Sequence, residues 1–232
     1  VWRRRGLDAT DLPDDADRLT LAMRLNGYDG PTSGGVGPDD FAELARSWAD
    51  RAGCGRDDSV YEVGCGAGSF LAAIERATGC TRLAGCDLSP GLVEAGRSIL
   101  PHLALDVADA AVFPLEPQVD HAVSFGMFFY LASTDDAAQV LQRMVRKATR
   151  SVSVLDVPDV RLAAQAEAHR RALWGVAEYE QRYAGLDHLY FEQSWFREQL
   201  PEPHWHVDIS PQSLANYDNA PFRFNVVAVS RR

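Results

Sequence analysis

The chain has no long apolar run. Nowhere does it approach the roughly 18 uninterrupted apolar residues that a membrane-spanning helix needs, so a membrane role is not expected. Basic charge is also scarce. With 23 Lys and Arg against 33 Asp and Glu the formal net charge is −10, which repels a phosphate backbone and argues against a nucleic-acid partner. The one basic cluster, Arg143, Arg146, Lys147 and Arg150, reads as a solvated helix end. The four cysteines (Cys54, Cys65, Cys80, Cys86) contain no C-x-x-C pair. Neither a disulfide framework nor a metal site is expected, and a reducing cytoplasm is the simplest compartment. Internal repeats and low-complexity linkers are lacking. The opening Val1-Trp-Arg-Arg-Arg5 is basic with no apolar segment behind it, unlike a secretory signal, and a start on Val1 suggests a trimmed N-terminus. What is present is 232 residues with 46% hydrophobic and 24% charged content. That suits one α/β domain with a small cap.

Two helices are expected first, over residues 13–25 and 38–53, the second opened by Pro38-Asp39-Asp40. Between them runs the glycine-rich loop Asn26–Gly37, read as a connector or a lid. From residue 58 strands and helices alternate. Strands are expected at 59–63, 82–86, 102–105, 119–124 and 151–155, and helices at 69–77, 91–100 and 134–149. Such alternation implies a parallel sheet with right-handed crossovers. The pattern then breaks. A long helix or broken pair over 160–183 and a short helix over 193–200 precede strands at 204–209 and 224–229. Those two strands have no crossover helix between them, which predicts an antiparallel last strand. Residues 1–56 read as an N-terminal helical cap, and 57–232 as the main domain with a cap insertion at about 157–191.

The chemistry-bearing motif is Glu62-Val-Gly-Cys-Gly-Ala-Gly68, between the first strand and its helix. Glycines at 64, 66 and 68 let the backbone turn sharply and approach a ligand. The dinucleotide fingerprint G-x-G-x-x-G would need a glycine where Ser69 stands. Asp87 ends the second strand, 19 residues past Gly68, where an acid can accept both hydroxyls of a ribose; the alternative is a helix cap. Asp109 follows the third strand, 22 residues further on, where an acid can take an adenine amino group. The alternatives there are a solvated loop acid, or Asp106 in its place.

Residues 59–131 resemble the core of a class I S-adenosylmethionine-dependent methyltransferase, with the motifs in the right order. The resemblance implies a Rossmann-like sheet of seven mostly parallel strands with an antiparallel last strand, helices on both faces and a small helical cap. It implies S-adenosyl-L-methionine as cofactor, S-adenosyl-L-homocysteine as product and no metal. Gly64, Cys65 and Gly66 would pack on the methionine part, and Glu62 would hold the loop or reach the amino group. Asp87 would bind ribose with Leu88 beside the adenine. Asp109 and Ala110 would contact the adenine edge, and Phe125 would offer a backbone carbonyl near the amino group. Tyr28, in the glycine-rich loop, could close over the cofactor.

Methyl transfer from a sulfonium needs mainly positioning and exclusion of water. Ligands bind beyond the carboxyl ends of parallel strands, so the loop Asn216–Phe222 and the segment 157–191 should overhang the site. His188, oriented by Asp187 or another acid, is the candidate general base near neutral pH, the alternative being a hydrogen-bonded structural histidine. Tyr190 and Tyr130 are candidates to shape or hydrogen-bond the acceptor, and Arg223 either to hold an acidic one or to pair with a surface acid. His121, near the start of a strand, reads as structural. The segment Ser124-Phe-Gly-Met127 lacks the Asn/Asp-Pro-Pro-aromatic run of nucleobase amino-methyltransferases. Short stretches (Val1–Gly6 and Pro221–Val226) look similar to bacterial methyltransferases of sugar, antibiotic or other specialised-metabolite pathways. The expected acceptor is therefore a small molecule, with oxygen first, nitrogen second and carbon third, and a homodimer through the cap is one expected assembly. An NAD-dependent oxidoreductase and a non-catalytic cofactor-binding protein are the alternatives of other classes.

Overall fold

The computed structural model describes residues 17–28, 33–183 and 188–231. The expected helix residues 13–16, the opening Val1–Gly6, loop residues 29–32 and Asp187 lie outside them. Among the described residues seven strands form one sheet in the order β3-β2-β1-β4-β5-β7-β6. The strands are β1 (Ser59–Val63), β2 (Arg82–Asp87), β3 (Ala104–Val107), β4 (Val119–Phe125), β5 (Ala148–Pro158), β6 (Trp205–Pro211) and β7 (Arg223–Ser230). Strands β1 to β5 pair in parallel, while β7 enters antiparallel between β5 and β6. This is the Rossmann-like arrangement the sequence predicts. The order doubles back at β1/β4, which opens a crevice at the carboxyl ends of the strands, where such sheets bind ligands.

The helices are α1 (Arg18–Leu25), α2 (Pro38–Ala52), α3 (Ser69–Thr78), α4 (Pro90–Ile99), α5 (Thr134–Lys147), α6 (Ala163–Trp174), α7 (Val176–Tyr183) and α8 (Gln193–Gln199). One face of the sheet is covered by α1 to α4 through Leu21, Phe41, Trp48, Phe70, Ile74 and Leu92. The other is covered by α5 and α8 through Val140, Leu141, Met144 and Phe196. A strand buried on both faces loses the polar alternation of a one-sided sheet, and Val60, Tyr61 and Val63 of β1 are all buried. Helix α2 belongs to this main layer rather than to a separate cap over 1–56. Its apolar stripe Phe41, Leu44, Ala45 and Trp48 is core, and Trp48 donates through Nε1 to Ser153 Oγ of β5 at 2.9 Å.

Two boundaries depart from the sequence reading for a clear local reason, and a third element takes one of its two expected forms. β3 begins at Ala104, not His102, because His102 pairs with Glu75 at 2.8 Å and Leu103 N–H closes a turn on Leu100. α5 stops at Lys147 because Ala148 is already paired with Val119 in the sheet. The long helix over 160–183 is the broken pair, parted at Gly175 with φ 75°. No helix among the described residues is long and apolar enough to cross a membrane.

Candidate active site

The glycine loop leaves β1 and folds back over β2. Gly64 and Cys65 both donate their N–H to the Cys86 carbonyl, at 2.8 and 3.0 Å. Gly64 (φ 79°) and Gly66 (φ 54°) sit in the left-handed region, which glycine enters without penalty. Space demands glycine as well. A Cβ on Gly64 would lie 2.4 Å from Met127 Cγ, and one on Gly66 2.3 Å from Asn26 Oδ1. Gly68 caps α3. The Cys65 side chain is buried against Gly85, so this residue offers the site its main chain alone.

Asn26, which the sequence reading passed over, is sewn into this loop. Its Nδ2 donates to the Cys65 carbonyl at 3.2 Å and to Ser69 Oγ at 2.7 Å, and its Oδ1 accepts the Ala67 N–H at 2.8 Å. An asparagine offers two donors and an acceptor on one rigid amide, so a single side chain can hold three points of a loop that has no side chains of its own to do so. The residue that follows the first helix is thereby part of the cofactor end.

Glu62 lies fully buried beneath the loop. Burial pushes its carboxyl well above the usual range, the nearby Asp87 adds to that, and the Leu71 N–H opposes it. Its Oε2 has no hydrogen-bond partner among the described residues, an acceptor that an ammonium or an ordered water would satisfy. Asp87 is fixed by two backbone donors, Gly66 N–H to Oδ2 and Ser89 N–H to Oδ1, both at 2.8 Å. Burial raises its carboxyl and those N–H groups pull it back. The cap of α4 is Ser89, which accepts from Leu92 N–H, so Asp87 is not spent as a cap. Each of its oxygens keeps lone-pair capacity for a diol.

Beside Asp87 lies an apolar shelf. Leu88 is 46% exposed, and Val107, which pairs with Asp87 across β2 and β3, is 48% exposed. Large apolar side chains left in water at a strand-end crevice suit the face of a planar base. Asp109 is exposed and turns its own loop, accepting the Ala111 N–H at 2.8 Å, with half-buried Ala110 next to it. Asp106, its rival, is held by Arg97 at 3.0 Å. The Phe125 ring stacks on Phe70 at 4.9 Å inside the core, which leaves its main chain at the strand end. Tyr28 packs in the wall, 4.9 Å from Phe41 and 6.2 Å from Phe125, and burial raises its phenol.

Next to the Tyr28 wall is a buried polar network that the sequence did not reveal. At the β-bulge of β5, Asp156 takes φ 62°, uncommon for a residue with a Cβ. Its carboxylate accepts from Tyr217 Oη at 3.1 Å, Gln212 Nε2 at 3.2 Å and Arg223 Nη1 at 3.4 Å. Arg223 also donates to the Asp156 carbonyl at 3.0 Å and lies over the Phe129 ring at 4.3 Å. It is a buried ion pair, not the surface one its sequence context allowed. Strained, buried ionic residues cluster at functional sites. The four side chains Asp156, Gln212, Tyr217 and Arg223 come from β5, β7 and the loop joining β6 to β7, so no local sequence signal links them.

His188 stands against Phe129 and Tyr130, at 4.9 and 5.6 Å between ring centres. Burial, helped by Arg223 and Arg170, lowers its pKa to about 3. The imidazole is thus neutral at physiological pH, and its basicity is well below the near-neutral value the sequence predicted. Tyr190 Oη accepts from Arg170 Nη2 at 2.8 Å. The chain between them is pinned to the sheet edge by Leu189 N–H to the Phe129 carbonyl at 3.0 Å and Phe191 N–H to the Pro158 carbonyl at 2.9 Å. The loop Asn216–Phe222 reaches the same end, where Asn216 Nδ2 donates to Asp40 at 3.0 Å and Tyr217 faces Tyr28 at 6.3 Å.

A family model described as a methyltransferase domain matches residues 60–150. No curated protein matches the chain. Among solved structures the chain is similar to the plantazolicin methyltransferase BpumL in complex with a triazolic desmethylPZN analog and SAH. There the identity is 12%, the TM-score 0.68, and 93% of this chain and 96% of that one are covered. It is similar also to a chain of the complex between the Haloferax volcanii Trm112 methyltransferase activator and a methyltransferase. For that pair the identity is 19% and the TM-score 0.62, with 90% and 93% covered. Streptomyces venezuelae DesVI aligns at 14% identity and a TM-score of 0.60, over 93% and 99%. The match over residues 60–150, the sheet order and the loop agree on one class: a methyltransferase-domain pattern set in the fold of class I, S-adenosylmethionine-dependent methyltransferases. The loop, the Asp87 carboxylate and the Leu88–Val107 shelf fit S-adenosyl-L-methionine, which supplies an electrophilic methyl group when bound.

Proposed function

We propose that the chain methylates a small molecule, at oxygen first, in a specialised-metabolite or sugar pathway of a bacterial cytoplasm. The observation that carries this is the acceptor end itself. Phe129, Tyr130, His188 and the Asp156–Arg223 pair line a compact, largely buried aromatic and polar setting. A net charge of −10 adds nothing for nucleic acid. The structural likeness to a plantazolicin methyltransferase and to DesVI agrees with such a role.

In this reading Asp87 holds the ribose, Leu88 and Val107 cover the adenine with Asp109 and Ala110 at its edge, and Asn26 keeps the loop in shape. Glu62, Gly64, Cys65, Gly66, Gly68 and the Phe125 main chain surround the methionine part, with Tyr28 as wall. Residues 26–28, 33–36, 157–183 and 188–191 form the cap. Tyr130 and Tyr190 position the acceptor. His188, neutral as it stands, accepts a proton from a hydroxyl only as the methyl bond forms, which suits an acidic oxygen nucleophile such as a phenol or an enol. The fixed carboxylate of Asp156 favours an amine acceptor as the second reading. Turnover screens of phenols, sugar hydroxyls and amino sugars, read as S-adenosylhomocysteine formed, test this. Acceptance of nucleic acid with no small-molecule turnover would sink it. Light scattering on the purified chain tests the homodimer.

A further inference from the structure

At the end of the sheet opposite the cofactor loop, three potential metal ligands converge. Cys54 follows α2, Asp58 precedes β1 and His121 opens β4, and one ligand atom of each lies within 4.8 Å of the other two. Cys80, just ahead of β2, is the next thiol. It neighbours Cys54 and donates from Sγ to the Asp58 carbonyl at 3.0 Å. We propose that Cys54, Asp58 and His121, with Cys80 as fourth ligand, form a structural site for a zinc-class divalent cation.

The geometry favours coordination. His121 Nε2 and Asp58 Oδ2 are 3.3 Å apart. A tetrahedral ion with metal–ligand distances of about 2.0 Å places its N and O ligands about 3.3 Å apart. The other ring nitrogen, Nδ1, is 2.7 Å from Ser151 Oγ. Metal-binding histidines are usually oriented by such a hydrogen bond at their second nitrogen. Arg150 Nη1 takes Asp58 Oδ1 at 2.5 Å, while Oδ2 is steadied by the Gly55 N–H at 2.7 Å and still faces the imidazole. The charges also balance. Two thiolates and one carboxylate are matched by a dication and the Arg150 guanidinium, and the two thiol protons leave to solvent. Sulfur and imidazole ligands select zinc over magnesium or calcium. Cys54 is half-buried, which provides an entry path, while His121 and Cys80 are buried. The sequence predicts no such site because its ligands are scattered from residue 54 to 121, with no C-x-x-C pair. Bound there, the ion would tie the end of α2 to the starts of β1, β2 and β4, away from the methyl-transfer chemistry.

The test is a Co²⁺ titration of the untagged, reduced, chelator-treated chain, followed by Zn²⁺. The site predicts a thiolate-to-cobalt absorption saturating at one equivalent, bleached by Zn²⁺, and a melting temperature raised by Zn²⁺. Cys54→Ser, at a half-buried position, should weaken Co²⁺ binding at least about 100-fold, beyond what loss of a second-shell partner does. Cys80→Ser should do likewise, with S-adenosylhomocysteine binding retained in both as the check on folding. Absence of the one-equivalent band would overturn the proposal. So would a band that survives in the double variant, since Cys65 or Cys86 would then be its source.

Discussion

Asn26→Ala isolates the loop's dependence on a residue outside it. The substitution removes three hydrogen bonds, to the Cys65 carbonyl, Ser69 Oγ and the Ala67 N–H. At about 1 kcal/mol net for each, the loss is about 2–3 kcal/mol in a part-buried setting. If the cofactor must then re-order the loop, up to about 2 kcal/mol of that appears in binding, roughly a 30-fold rise in Kd. Calorimetry with S-adenosylhomocysteine reads the second number and thermal denaturation the first. The same contact gives an internal control. Gly66→Ala in the native background places a Cβ 2.3 Å from Asn26 Oδ1 at a φ of 54°. In the Asn26→Ala background the clash is gone and only the left-handed penalty, about 1–2 kcal/mol, remains. The two substitutions should therefore cost less together than the sum of their separate effects. Additive losses, or an Asn26→Ala protein with native Kd and native melting temperature, would refute the claim that Asn26 shapes the loop.

Other outcomes follow from the same geometry. Asp87→Ala should weaken S-adenosylhomocysteine by at least about 30-fold through two lost charged hydrogen bonds, and retained affinity would remove it from the ribose. His188 has a folded pKa near 3, below the unfolded value. Only the unfolded chain therefore takes up that proton as pH falls below about 6.5, and stability drops with acid until the folded group titrates near 3. His188→Gln should abolish about 1–2 kcal/mol of the wild-type loss between pH 6.5 and 5 in urea melts, and identical pH slopes would contradict the buried neutral imidazole. Trp48→Ala should cost about 3–5 kcal/mol as a core truncation, since the ring is buried under the sheet and bonded to Ser153; a loss below 1 kcal/mol in urea melts would return α2 to the periphery.

The fold was legible where local pattern and tertiary outcome coincide. Glycines that need positive φ, apolar strands buried on both faces and the missing crossover before β7 all leave marks in the sequence. Gly64, Gly66 and Asp87 could be located because a strand–turn–helix unit fixes their places within a few residues. The chain was less informative where contacts are long-range. Asn26 looks like an ordinary loop residue until α1 docks beside α3. Val107 becomes a shelf only through its register with Asp87. Asp156, Gln212, Tyr217, Arg223 and Asn225 form one network from separate segments, and the bulge that gives Asp156 its positive φ has no local marker. His188 could be named as a candidate from type and topology, but its low basicity comes from burial beside two guanidinium groups distant in sequence.

The most direct test of the account is calorimetric titration of the chain with S-adenosylmethionine, S-adenosylhomocysteine and NAD in parallel. One-to-one binding of the first two is expected, lost or strongly weakened by Asp87→Ala, with no heat from NAD. Binding of NAD alone, or no binding of either S-adenosyl compound, would contradict it.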